Sequence, residues 1–165
     1  VSFHYQFFAD QLDNPNNNDW AVSGMAPVVP DTLNAALSER QFSATVEQGV
    51  GWLLRIEPSM TSMTLLLTSR PDSPPTNARL VVPRLYYREI ASGGSVGAWA
   101  ARTLAGISFA PSALFWQTDT RTFPLGASGP TLSNNRLYQF EMTRVSGATG
   151  LPSAWNLLEI HIETF

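Results

Sequence analysis

Side-chain polarity alternates with a period of two along much of this chain, and no other feature constrains its fold as strongly. A strand points successive side chains to opposite faces, so such alternation marks a surface with one buried and one wet side. Over 136–144, Tyr138, Phe140 and Met142 face one way while Gln139, Glu141 and Thr143 face the other. Near the C-terminus Leu158, Ile160 and Ile162 alternate with Glu159, His161 and Glu163. Phe42, Ala44 and Val46 alternate with Gln41, Ser43 and Thr45, and Trp52, Leu54 and Ile56 with Leu53, Arg55 and Glu57. Segment 62–69 reads as a more fully buried strand through Met63, Leu65, Leu66 and Leu67. Segments 2–8, 79–90 and 114–123 bring the expected total to about eight strands. Pro83 marks an edge or a bulge inside the second of these, and Phe115 and Trp116 stand near the start of the third.

Helix signals are few. Segment 31–40 (DTLNAALSER) offers Asp31 as an N-cap after Pro30, and 95–104, which contains Trp99, is a weaker candidate. Helices this short are marginal alone, so one or two turns are expected. Turn-forming runs lie at 13–19, 70–77, 92–95, 126–130 and 146–152, each mixing Gly, Pro, Asn, Asp or Ser. Strands parted by such loops, without alternating helices, predict an all-β fold: a jelly-roll-like antiparallel β-sandwich. The 165 residues contain no repeat and no linker, so one domain over 1–165 is expected.

Composition narrows the function classes. Charged residues make up 14% and the net charge is −3, which argues against a nucleic-acid partner held by phosphate neutralisation. Cysteine is absent, which removes disulfides, thiolate metal sites and cysteine nucleophiles. All ten basic residues are arginine, whose planar fork of donors suits buried or interfacial pairing. A neutral, polar surface built from Ser, Thr, Asn, Gln, Gly and Pro suits a protein that packs against others. No apolar run approaches the ~18–20 residues of a membrane-spanning helix, so no membrane partner is expected. The opening Val-Ser-Phe-His-Tyr has neither the basic nor the apolar region of a signal peptide.

Chemistry-bearing patterns are weak. The run DNPNNND between Asp13 and Asp19 is rich in oxygen. It lacks the glycine and the bidentate glutamate of a calcium loop, so a polar turn is the expectation. His4 and His161 would flank a metal if the terminal strands paired, with Asp10, Glu159 or Glu163 as oxygen ligands. No H-x-H or H-E-x-x-H spacing supports this, and neither a metal nor a cofactor is expected. No G-x-S-x-G elbow or phosphate loop occurs, and 92–95 (SGGS) reads as a hairpin tip. Glu57, Glu89, Glu141 and Glu159 lie on strands, where a jelly-roll glycoside hydrolase would place its acids, but also where any sheet presents its solvent face. No catalytic residue is assigned, and an enzyme is not expected.

Aromatic side chains and arginines supply the candidate contact surface. Trp52 shares a face with Leu54 and Ile56, a core position. Tyr86 and Tyr87 are adjacent on one strand and must point to opposite faces, so one of them reaches the outside. Trp99 lies beside glycine-rich loops. Tyr86, Tyr87, Arg88 and Trp99 are therefore the candidate interface, since aromatics and arginine are enriched in interface cores.

Several stretches resemble a group of small β-rich proteins of tailed bacteriophages and prophages. They are RQFS at 40–43 with EQGV at 47–50, PRLY at 83–86 with GAW at 97–99, LYQFEMTR at 137–144, and WNLLEIHIETF at 155–165. The resemblance implies a virion structural protein, first a capsid cement (decoration) protein that binds the major capsid protein of the same virus. It further implies a homo-oligomer, a trimer favoured, on the capsid surface rather than the tail. The alternative it leaves open is a receptor- or carbohydrate-binding adsorption module of a tail or fibre. The third reading is a jelly-roll glycoside hydrolase.

Overall fold

The computed structural model describes residues 2–12, 20–21, 24–124, 132, 135–145 and 150–165. The loop at 13–19, the tip at 126–130 and most of the 146–152 turn therefore lie outside the described residues. Twelve strands and one 3-10 turn (Ala9–Gln11) make up the regular structure there, with no α-helix among the described residues.

Strands β1 (Phe3–Phe8), β2 (Val28–Pro30), β3 (Ser38–Phe42), β5 (Ser62–Pro71), β10 (Gln117–Pro124) and β12 (Trp155–Thr164) build a six-stranded antiparallel sheet. Its order is β10-β5-β12-β3-β2. The N-terminal half of β12 pairs with β3 and its C-terminal half with β1, so the two ends of the chain lie side by side. Strands β4 (Gly49–Ile56), β7 (Pro83–Ile90), β8 (Ala100–Thr103) and β11 (Arg136–Arg144) form the second sheet, ordered β4-β11-β7-β8. A two-stranded ribbon of β6 (Arg79–Val81) and β9 (Ile107–Phe109) completes the set.

The two large sheets share one core. Met63, Leu65, Leu67, Leu157, Ile160 and Ile162 come from the first sheet, and Val50, Trp52, Leu54, Leu85, Phe140 and Met142 from the second. Trp52 stacks on Phe140 with ring centroids 5.7 Å apart, and Phe7 of β1 reaches Trp52 at 6.5 Å across the sandwich. Aromatic pairs at such separations add to the burial of apolar area that drives the sheets together.

The structure carries more strands than the alternation shows. The additions are β2, β8 and β9, together with the division of 79–90 into β6 and β7 at Val82, just ahead of Pro83. Each added strand has three or four residues, too short to display a period. Phe115 and Trp116 precede β10 rather than opening it, and Phe115 is 74% exposed. Residues 44–46 lie beyond the end of β3, in a turn, so the alternation read there is not a strand. The first helix candidate is also absent. The Asp31 carboxylate accepts hydrogen bonds from the Leu33 and Asn34 backbone N–H groups at 2.9 and 3.0 Å, as an N-cap would. The chain then closes a loop, with Asp31 N–H on the Leu37 carbonyl, and enters β3. A helix there would carry Glu39 away from Arg70, the pair described below. The second candidate, 95–104, is instead the return arm of a hairpin ending in β8.

A bulge in β12 corrects one reading of the alternation. Leu157 pairs with Ser69 and Glu159 with Thr68, leaving Leu158 as the extra residue. Leu157 takes the buried place expected for Leu158, and Leu158 turns outward to line a recess with Phe8, Gln11 and Leu37.

Three arginine side chains are buried for structural ends. Arg40 donates to the carbonyls of Ala9 at 2.6 Å, Ala26 at 3.0 Å and Leu12. Arg144 donates to the carbonyls of Ser153 at 2.7 Å and Leu151, and burial lowers its affinity for the proton. Arg70 grips Glu39 through two bonds of 2.7 Å. Only a guanidinium offers enough donors in a fixed plane to tie several carbonyls or a carboxylate at once, which gives the absence of lysine a structural use.

Candidate functional site

The outer face of the four-stranded sheet is assembled by register. Strand β11 lies between β4 and β7, so Gly51, Glu141 and Tyr86 form one row, and Leu53, Gln139 and Arg88 the next. On the far side of β7, β8 pairs Ala101 with Tyr86. The hairpin tip at 92–95 is tight: Gly94 N–H bonds to the Ala91 carbonyl, and Gly94 has φ +81, a conformation glycine adopts at no steric cost. An Ile90–Val96 bridge and a Gly97 N–H bond to Glu89 then fold the return arm back along β7. This brings Trp99 onto Arg88, whose guanidinium carbon lies 4.4 Å from the ring centroid. The attraction of a cation for a ring face holds the two side chains together. Arg88 is fixed from the other side by a 2.7 Å bond from its Nε to Gln139 Oε1.

The neighbouring row carries a second ring. Arg84 donates to the Tyr86 hydroxyl at 3.1 Å, and that hydroxyl donates to Glu47 Oε1 at 3.3 Å. Thr143 donates to the same carboxylate oxygen at 2.7 Å. The bond to Tyr86 raises the Arg84 pKa above its ordinary value, outweighing desolvation. Tyr86, Arg84 and Glu47 thus form a charged, half-exposed network one row from the Arg88–Trp99 stack. Leu53, 48% exposed, flanks Gln139 and adds an apolar patch. Beyond it, Arg55, Ile90, Arg136 and Leu137 line a recess at the end of the face.

Trp20 adds a third ring, over a floor of glycine. A side chain at Gly51 would overlap the indole, and one at Gly49 would overlap the Glu141 carboxylate. The Ala21 N–H donates to Glu141 Oε2 at 2.8 Å, and Glu141 is fully buried beneath this cover. Gly51→Ala is expected to displace Trp20 and to cost about 1–3 kcal/mol, as overpacking does. A red shift of tryptophan emission together with a lowered denaturant midpoint would check it.

Of the four candidate interface residues, Tyr86, Arg88 and Trp99 share this face. Tyr87 points the other way, its ring 6.5 Å from Phe140 at the edge of the core. Glu47, Gln139, Thr143 and Leu53 were not singled out by the sequence. The signal for Gln139 and Thr143 was present in the β11 alternation, whereas Glu47 sits in a turn and reaches the site only through tertiary folding. The four acids expected on strands are dispersed, and Glu57 lies just beyond the end of β4 rather than on it. Glu141 lies on the outer face of one sheet, and Glu159 on that of the other, bonded to Gln6 and Thr68. Glu89 pairs with Arg136 at 3.4 Å.

On the outer face of the six-stranded sheet, the terminal strands bring His4, His161 and Glu163 together, with ligating atoms all within 4.8 Å of one another. Asp10 and Glu159 stay outside this cluster.

No family model and no curated protein matches the chain. Among solved structures, a family 35 carbohydrate-binding module from Clostridium thermocellum aligns with a TM-score of 0.52 at 13% identity, over 97% of this chain and 97% of that one. The C-terminal family 6 carbohydrate-binding module of a laminarinase from Zobellia galactanivorans aligns with a TM-score of 0.48 at 14% identity, over 97% and 98% of the two chains. The enzymatically active domain of tailspike protein 4 of bacteriophage CBA120 aligns with a TM-score of 0.39 at 10% identity, over 99% of this chain and 19% of that one. At 13% identity the first of these likenesses shows the fold alone: a β-sandwich of jelly-roll type.

Proposed function

We propose that the chain is a non-catalytic carbohydrate-binding module, and that the outer face of the four-stranded sheet is its glycan platform. The observation that carries this reading is the interleaving of rings and planar polar groups on one half-exposed surface. Arg88 stacks on Trp99 and Arg84 on Tyr86, with the Glu47 carboxylate bonded to the Tyr86 hydroxyl; the buried side chains of Gln139 and Thr143 anchor Arg88 and Glu47 from within the sheet. A sugar ring has an apolar face of C–H groups and an edge of hydroxyls. An amphipathic aromatic matches the first. Guanidinium and carboxylate groups held in place by hydrogen bonds match the second at little entropic cost. The groups are already ordered by internal hydrogen bonds, so binding need not order them.

The shared fold with a carbohydrate-binding module supports the reading as analogy, since fold does not imply function. The capsid-cement reading rests on the bacteriophage resemblance alone, and nothing on this face favours it over glycan binding. If the chain belongs to a virion, the same face suits adsorption to a host glycan. The test is retention of purified chain on a panel of immobilised glycans and insoluble polysaccharides, with release of reducing sugar measured in parallel. Retention competed by soluble oligosaccharide, without sugar release, is the expected result. Failure to bind any glycan, with saturable binding to isolated capsids, would overturn the proposal.

A further inference from the structure

The terminal strands create a feature on the opposite face of the sandwich that glycan binding does not use. In the β1–β12 ladder His4 stands opposite Glu163, and His161 lies two residues along β12 on the same face. Period two and one cross-strand pairing therefore suffice to bring three ligating side chains to one spot. His4 Nδ1 is 3.3 Å from His161 Nε2 and 3.6 Å from Glu163 Oε1, and His161 Nε2 is 3.6 Å from the same oxygen.

These separations have a simple geometric meaning. A point equidistant from three atoms so placed lies about 2.0 Å from each in their common plane, and zinc bonds to imidazole nitrogen and carboxylate oxygen run about 2.0–2.2 Å. Neighbouring ligands of a tetrahedral ion at that bond length stand about 3.3–3.4 Å apart. His4 Nδ1, His161 Nε2 and Glu163 Oε1 thus all lie about one zinc bond length from a single point. The second nitrogen of His4 is 3.5 Å from Ser2 Oγ, a partner able to hold the ring's orientation. Glu159, the next acid on this face, is occupied by Gln6 at 2.7 Å and Thr68 at 3.2 Å, so it does not compete. The His4 side chain is 53% exposed, which leaves the cluster open to an ion from solvent and to water as a fourth ligand.

We propose that His4, His161 and Glu163 form a surface binding site for a zinc-class divalent transition ion, with three protein ligands and a fourth position left to water. Two imidazoles and one carboxylate suit such ions, whereas calcium and magnesium take oxygen ligands. The ion would join β1 to β12 and tie the N-terminal strand into the sheet.

Calorimetric titration of tag-free, chelator-treated full chain with Zn²⁺ tests this directly. Saturable binding of one ion per chain is expected, with slower amide exchange over Phe3–Phe8 in the loaded form. His161→Ala and Glu163→Gln should each weaken binding at least about tenfold. Asp10→Asn should leave it unchanged, and circular dichroism should report folded protein in every case. Absence of saturable Zn²⁺ binding, equal affinity in folded His161→Ala, or tighter binding of Ca²⁺ than of Zn²⁺ would each overturn the proposal. None of these readings depends on glycan.

Discussion

Replacing Arg70 with alanine is expected to lower the free energy of unfolding by about 3–5 kcal/mol, the range found when one partner of a buried ion pair is removed. Arg70, Glu39 and Asp31 are all shielded from solvent, and their charges meet on the six-stranded sheet beneath the loop at 31–37. Arg70 Nε and Nη2 each donate to Glu39 at 2.7 Å, and Nη2 also reaches Asp31 Oδ1 at 3.2 Å and Thr32 at 3.1 Å. Trp116 Nε1 and Asn156 Nδ2 donate to the same Glu39 carboxylate, both at 2.9 Å. The cation therefore offsets two carboxylates with no access to water, and its loss leaves both charges buried. The side chains are 0% exposed, so the discount that applies to surface pairs does not operate. Denaturant unfolding of Arg70→Ala, Glu39→Gln and the double variant checks this. Strong coupling is expected, with the double variant costing less than the two single changes summed. A single-variant loss below about 1 kcal/mol would mean that water enters the cluster.

The largest functional effect is expected from Trp99→Ala. If the proposed platform binds glycan, truncating its anchoring ring should cost at least about 2 kcal/mol, as at interface hot spots, or roughly thirty-fold in affinity. Trp99 is only half-buried and makes its ring contact with Arg88, so stability should move by less than about 1 kcal/mol. Arg88→Lys separates charge from geometry. It keeps the cation but loses the planar donor fork that bonds Gln139 while lying over the ring. It should therefore fall between the wild type and Trp99→Ala. Calorimetry with the glycan found on the panel, beside thermal unfolding of each variant, distinguishes lost contact from lost fold.

The parts of this molecule that follow from side-chain period were legible in the sequence. Strand β11 spans the segment that its alternation marks, and Trp52 and Phe140 fall in the core as their neighbours require. Adjacency placed Tyr86 and Tyr87 on opposite faces, and the structure shows which one reaches outward. Local pattern does not reveal pairings between distant segments. The His4–His161–Glu163 cluster needs the two ends of the chain to pair, and no spacing motif announces it. Glu39, Arg70 and Asp31 come from two strands and a loop, and Asp31 looks like a helix cap because it makes the same backbone bonds a cap makes. The reversal of Leu157 and Leu158 stems from a bulge, which shifts the period by one without any change in residue type. Strands of three residues fall below the length at which alternation exists.

The central claim is that glycan is bound on the outer face of the four-stranded sheet. Mapping amide and side-chain chemical shifts during titration with a retained oligosaccharide tests it most directly. The account predicts saturable perturbations centred on the Trp99 indole, Arg88, Gln139 and Tyr86, spreading to Leu53 and Thr143 and absent from the His4–His161 face. Saturable perturbations centred anywhere else, with these residues unmoved, would contradict it.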